Sequence, residues 1–145
     1  MISQSDVQNA LDFFSLTKVR ISQMDRKFVA AAFGYAIVGL LLGIYMAASH
    51  NHGQLVTHAH IMLVGFVVSF IYGVCHKLWL NNNDSGLGKT QFYLHHAGTL
   101  VMTIGLFLMY GGHAEPAAVE PFLSVASIAV VVALIMMKIL FIKSK

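Results

Sequence analysis

Four apolar stretches, at residues 28–49, 55–80, 91–111 and 121–142, constrain this chain more than anything else in it. The hydrocarbon core of a bilayer is about 30 Å thick, and a helix needs about 20 apolar residues to cross it with its backbone polar groups satisfied internally. Each stretch is long enough. The lysines that fall within them, Lys77 and Lys138, lie close to span ends, where a long side chain can reach the headgroups. At 57% hydrophobic and 10% charged, the 145-residue chain has the composition of a membrane protein, not of a soluble domain. Outside the stretches remain an N-terminal extension (1–27) and connectors too short to fold alone. The expectation is a single all-α domain over 1–145, an integral membrane four-helix bundle, with any function inside the helices or at their ends.

The basic residues orient it. Lys18, Arg20, Arg26 and Lys27 precede the first stretch, Lys77 and Lys89 flank the second connector, and Lys138, Lys143 and Lys145 close the last stretch. The other two connectors hold no Lys or Arg, only Glu115 and Glu120 as formal charges. Cytoplasmic loops are enriched in Lys and Arg, so both termini are expected on the cytoplasmic side of a bacterial inner membrane. The net charge of +3 then reflects topology and attraction to anionic lipid, with no nucleic-acid partner. Residues 1–9 lack the basic and apolar regions of a cleavable signal, so the first span is expected to stay as an anchor. Val7, Leu11, Phe14 and Ile21 fall near one face of a helix over 6–21, which reads as interfacial and amphipathic. The single Cys75 can form no internal disulfide.

Eight histidines accompany this small set of charges. Ionisable side chains at membrane depth are costly and tend to mark function. At about 100° per residue, His58 and His76 share a face of the second helix, roughly 27 Å apart along its axis. The third helix runs back, so two layers form. His50, His52, His58, His60 and His113 make the outer one, and His76, His95 and His96 the inner one. The His58 face continues through Met62, Gly65, Ser69 and Tyr72, a small and polar stripe; His60 lies opposite, above bulky Val64, Val67 and Ile71. Gly65, Ser69 and Gly73 would let another helix or a flat macrocycle approach the backbone. Neutral imidazole is the usual ligand of heme iron, and two of them make a low-spin b-type site. The cofactor residues expected are therefore His58 and His60 on the iron, with Met62 and Gly65 beside them. His58 with His113, or His76 with His95 or His96, is the alternative pairing. Tyr35, Tyr45, Tyr72, Tyr93, Tyr110 and Trp79 lie mostly near span ends, where aromatic belts sit, and are assigned no chemistry.

The run Thr57-His58-Ala59-His60-Ile61-Met62-Leu63-Val64-Gly65-Phe66, continuing to Ile71-Tyr72-Gly73, resembles the histidine-bearing helix of heme-copper oxidase subunit I. Tyr93-Leu94-His95-His96-Ala97-Gly98 resembles the helix that follows it in small proteins of that kind. The resemblance implies a fold in which arcs of four helices surround a pseudo-threefold axis, and this chain has one arc. In the family one histidine of an H-x-H pair serves a low-spin heme and the other a high-spin heme. That implies a homo-oligomer, a trimer, with b-type heme held by His58 of one copy and His60 of its neighbour. The copper-binding histidine pair and tyrosine of the family have no counterpart, so a complete oxidase is not expected and copper is not favoured.

Three functions follow as expectations. The first is a membrane b-type cytochrome that passes electrons to a respiratory-chain redox partner or handles heme or a gas. The second is histidine-based metal or proton transport, for which carboxylates within the spans are missing. The third is a cofactor-free assembly subunit of a respiratory complex, which explains the small-residue faces but not the H-x-H pair.

Overall fold

The computed structural model describes Gln4 and residues 23–80 and 85–144. The amphipathic helix expected over 6–21 lies outside the described residues, which contain no strand. Four helices are long and apolar enough to cross a membrane: α1 (Gln23–Ser49), α2 (Leu55–Leu78), α3 (Gly86–Tyr110) and α4 (Pro116–Lys143). The chain is all-α and built as a multi-pass membrane protein.

Three of the helices begin ahead of their apolar stretches, because an uncharged run measures hydrocarbon while helix boundaries are set by capping. Asp25 sits in the first turn of α1, where the helix dipole favours an acid. The Ser85 hydroxyl accepts the Gly88 N–H at 3.1 Å and starts α3 ahead of residue 91. Glu115 enters α4 in extended conformation and Pro116 opens it, at a position where an N–H is not needed. The ends are marked as clearly. His50 takes a left-handed φ of 53° after α1, and Gly112, at φ 70°, turns the chain after α3.

The middle of α2, Ile61–Val68, winds as a π-helix that begins immediately after His60. Such wide turns are rare and frequent at functional sites. Each residue there advances by less than the α-helical step, so the stripe read at constant spacing does not stay against one neighbour. His58 and Met62 meet α1, whereas Ser69 meets His95 of α3.

The helices associate in chain order, α1 on α2, α2 on α3 and α3 on α4, and α1 touches α3 lightly. Among the described residues no comparable contact joins α1 to α4. This is an open row, not a bundle closed on itself. Burial agrees: 33% and 39% of the most apolar windows of α2 and α3 are buried, against 17% and 22% for α1 and α4. One apolar cluster, with Phe28, Tyr72, Met137 and Leu140, ties the row together at the end carrying Arg26, Lys27, Lys77 and Lys143, here termed the basic end. Another, Met102, Leu106 and Ala126 with Val56 and Val64, lies toward the end carrying Glu115 and Glu120, the acidic end.

Small residues set the closeness of these contacts. A Cβ at Gly98 would lie 3.0 Å from the Ala126 carbonyl of α4, and one at Gly65 would lie 2.7 Å from the Tyr35 ring of α1. Lipid gives no hydrophobic drive between helices, so close backbone approach is what holds them. The Gly65 and Gly73 positions, read as room for another helix or a flat macrocycle, are filled by the helix α1, through Tyr35 and through Val29 with Phe28.

Candidate functional site: two groups of histidines

At the acidic end of α2, the His58 ring turns toward α1 and its Nδ1 lies 2.8 Å from the Gly39 carbonyl. A carbonyl only accepts, so Nδ1 carries a hydrogen, and in the neutral ring Nε2 then keeps a lone pair. Gly43 makes space for the ring: a Cβ there would stand 3.2 Å from His58 Cε1. His60 repeats the arrangement on the other side of the helix, donating from Nδ1 to the Val56 carbonyl one turn back at 2.8 Å. Both rings are half-buried. An imidazole oriented through Nδ1–H onto a carbonyl, with Nε2 bare, is the arrangement that metal-ligating histidines use. Two histidines two residues apart on opposite sides of one helix cannot reach both faces of the same macrocycle.

The other residues expected around this pair are engaged differently. Met62 packs onto Gly39, and Gly65 lies under the Tyr35 ring. His113 is exposed, follows the Gly112 turn, and stacks on Phe107 of the preceding helix α3 with ring centroids 6.3 Å apart. Sequence reasoning placed Gln54 in a connector. It is buried, accepts the Thr57 hydroxyl at 2.7 Å and donates to the Phe107 carbonyl at 3.0 Å, tying α2 to α3.

At the basic end His76 and His95 are fully buried, and His96 is partly so. Phe28 of α1 stacks on His76 at 5.4 Å and faces His96 at 5.5 Å. His95 Nε2 lies 3.0 Å from the Ser69 hydroxyl, with Tyr72 edge-on to its ring at 5.0 Å. The Tyr35 hydroxyl lies 3.3 Å from His96 Nδ1, and Phe92 closes over the same imidazole at 4.4 Å. The expected inner layer therefore does come together, as an aromatic stack. Tyr35 and Tyr72 belong to it, which corrects the reading of both as belt residues.

Gln91, also missed as a functional candidate, is fully buried with neither amide atom bonded, and the Tyr72 hydroxyl and His96 Nε2 are buried without a partner. Leaving such a group unsatisfied costs about 1–3 kcal/mol. Nearby, Lys77 and Asp25 approach to 3.9 Å and join α1 to α2.

A groove of about 640 Å³ runs between α1 and α3 over the floor of Thr57 and Ile61, with Tyr35, His96 and Phe107 in its walls. It is lined by neither His58 nor His60, so this groove and the two acidic-end imidazoles are separate features. Among the described residues, no three His, Cys, Asp or Glu side chains gather as a metal-ion site. No family model, curated protein or solved structure matches the chain.

Proposed function

We propose that this protein is a membrane b-type cytochrome of the heme-copper oxidase subunit I type, in which His58 and His60 of neighbouring copies ligate heme iron. The observation that carries the reading is the matched pair of Nδ1 hydrogen bonds to the Gly39 and Val56 carbonyls, which leaves two Nε2 lone pairs on opposite sides of α2. These residues fit the group: neutral, oriented imidazoles half-buried within an apolar span. The open row supports a second chain in the site, since α1 and α4 are left largely uncovered by the rest of the molecule. A trimer of such rows rebuilds a ring.

When bound, the heme supplies reversible one-electron chemistry, with bis-imidazole ligation and an apolar surround setting its potential. The chain's own residues do the rest. Gly39 and Val56 hold the imidazole orientations, Gly43 admits the His58 ring, and the apolar span excludes water. The assembly sits in the inner membrane with both termini cytoplasmic, and electrons pass to or from a respiratory-chain partner.

Substitution at each ligand tests the reading. His58→Ala and His60→Ala are each expected to convert bound heme from six-coordinate low-spin to a high-spin or empty state, and mild-detergent cross-linking of the wild type to give a trimer ladder. A spectrum that responds to only one of them contradicts bridging. A chain that keeps its oligomer and shows no heme signal in any form is an assembly subunit instead.

A further inference from the structure

At the basic end, α1 and α2 pack so closely that a Cβ at Gly73 would stand 2.7 Å from Val29 Cγ2 and 3.1 Å from the Asp25 carbonyl. Beside that contact the two helices leave a hollow of about 400 Å³, which shares no lining residue with the α1–α3 groove. On α1 it is lined by Arg26, Val29, Ala30 and Phe33, the i, i+3, i+4, i+7 set that forms one face of a helix. On α2, which runs the other way, Val74 and Lys77 complete it. The lining changes with depth. Arg26 lies in the first turn of α1 and Lys77 in the last turn of α2, whereas Val29, Phe33 and Val74 lie inward of them. Phe33 meets Phe70 of α2 with ring centroids 6.2 Å apart. From Arg26 to Phe33 α1 rises about 10 Å, two turns that pass from charge to hydrocarbon.

The charges at the rim do not cancel. Asp25 is buried; its carboxylate accepts the Arg26 backbone N–H at 2.8 Å and lies 3.9 Å from Lys77 Nζ, so it offsets one of the two cations. Arg26 is exposed and, among the described residues, its guanidinium enters no ion pair. A guanidinium presents the planar fork that matches a phosphate. A hollow cationic at the membrane boundary and hydrocarbon below fits an acyl chain that carries an anionic headgroup. A water-soluble anion would leave the inward part unfilled. A second copy inserted in the same sense would set its own Arg26, Lys27 and Lys77 at the same level, against like charge.

We propose that this hollow is a binding site for one anionic phospholipid, its phosphate on Arg26 and Lys77 and an acyl chain along Val29, Phe33 and Val74. Basic pockets between transmembrane helices hold anionic headgroups in this way. The site goes beyond a general attraction of basic connectors for anionic lipid, because it fixes the place and the number. It uses neither His58 nor His60 and stands whether or not heme binds.

Native mass spectrometry of the full chain in detergent, titrated with phosphatidylglycerol or with phosphatidylcholine of the same acyl chains, tests it. One tightly retained phosphatidylglycerol per chain is expected, with phosphatidylcholine held more weakly. Arg26→Gln is expected to weaken phosphatidylglycerol about fivefold, the usual worth of one basic side chain at an anionic surface, and to leave phosphatidylcholine unchanged. Lys143→Gln removes a basic side chain at the same end but outside the hollow, and should change neither. Ala30→Phe keeps both cations and fills the hollow, so it too should weaken phosphatidylglycerol. Equal retention of the two lipids, or retention of neither, overturns the proposal: the hollow then takes any hydrocarbon or is closed by another copy. An Arg26→Gln effect that is absent, or matched by Lys143→Gln, replaces the site with a diffuse basic surface. Full retention in Ala30→Phe contradicts a seated acyl chain, and inorganic phosphate that binds alone with the same Arg26 dependence makes this a free-anion site.

Discussion

The two ends of the α2–α3 pair use histidine in opposite ways. At the acidic end His58 and His60 each commit Nδ1 to a backbone carbonyl, and among the described residues neither ring stacks on an aromatic neighbour. At the basic end His76, His95 and His96 are stacked among Phe28, Tyr35, Tyr72 and Phe92, with the Ser69 hydroxyl at His95 and the Tyr35 hydroxyl at His96. The same residue type is tied to backbone carbonyls at one end and used as an aromatic packing unit at the other. What separates the ends is the neighbour on α1: Gly39 and Gly43 leave space and a bare carbonyl, whereas Phe28 and Tyr35 fill it.

The largest effect that would break this contrast is on the cofactor. His95→Ala is expected to leave the low-spin heme spectrum in place, whereas His58→Ala abolishes it; a spectrum lost equally in both would erase the distinction between the ends. Stability should respond the other way. Emptying the His95 position is expected to cost about 3 kcal/mol, as for other large side chains removed from a packed interior, read as a shift in the detergent unfolding midpoint, with His60→Ala moving it far less. Next in size are the glycines of α1 and α2. Gly65→Ala places a Cβ 2.7 Å from the Tyr35 ring and is expected to destabilise by about 1–3 kcal/mol. Gly34→Ala, which meets nothing within 4 Å, should instead stabilise α1 by up to about 1 kcal/mol, the helix preference for Ala over Gly. Smallest is Thr57→Val, which removes the hydrogen bond to Gln54 and is expected to lower stability by about 1 kcal/mol without changing the basic end.

Much of this was legible in the sequence because lipid imposes it. Four spans follow from apolar length alone, and the two histidine layers follow from helical rise and antiparallel order. The face assignments were less secure, for a physical reason: nothing in Ile61–Val68, apolar almost throughout, announces a π-helix, and a constant step per residue carries His58 and Ser69 to the same neighbour when they meet different ones. Gly65 offers room for a helix or a flat macrocycle alike, and Tyr35 of α1 occupies it. Gln54 falls in a connector and Gln91 opens the third apolar stretch. Both are buried, and only the facing helix decides whether such a group is capped, as Gln54 is by Phe107 and Thr57, or left open, as Gln91 is.

The central claim is that the acidic-end imidazoles hold heme. A visible absorption spectrum of the detergent-purified protein, oxidised and dithionite-reduced, with a pyridine hemochrome assay for heme type and amount, addresses it most directly. The account predicts sharp reduced bands of bis-imidazole heme b, with as many hemes as chains. A protein that stays colourless after expression with heme supplied would contradict it.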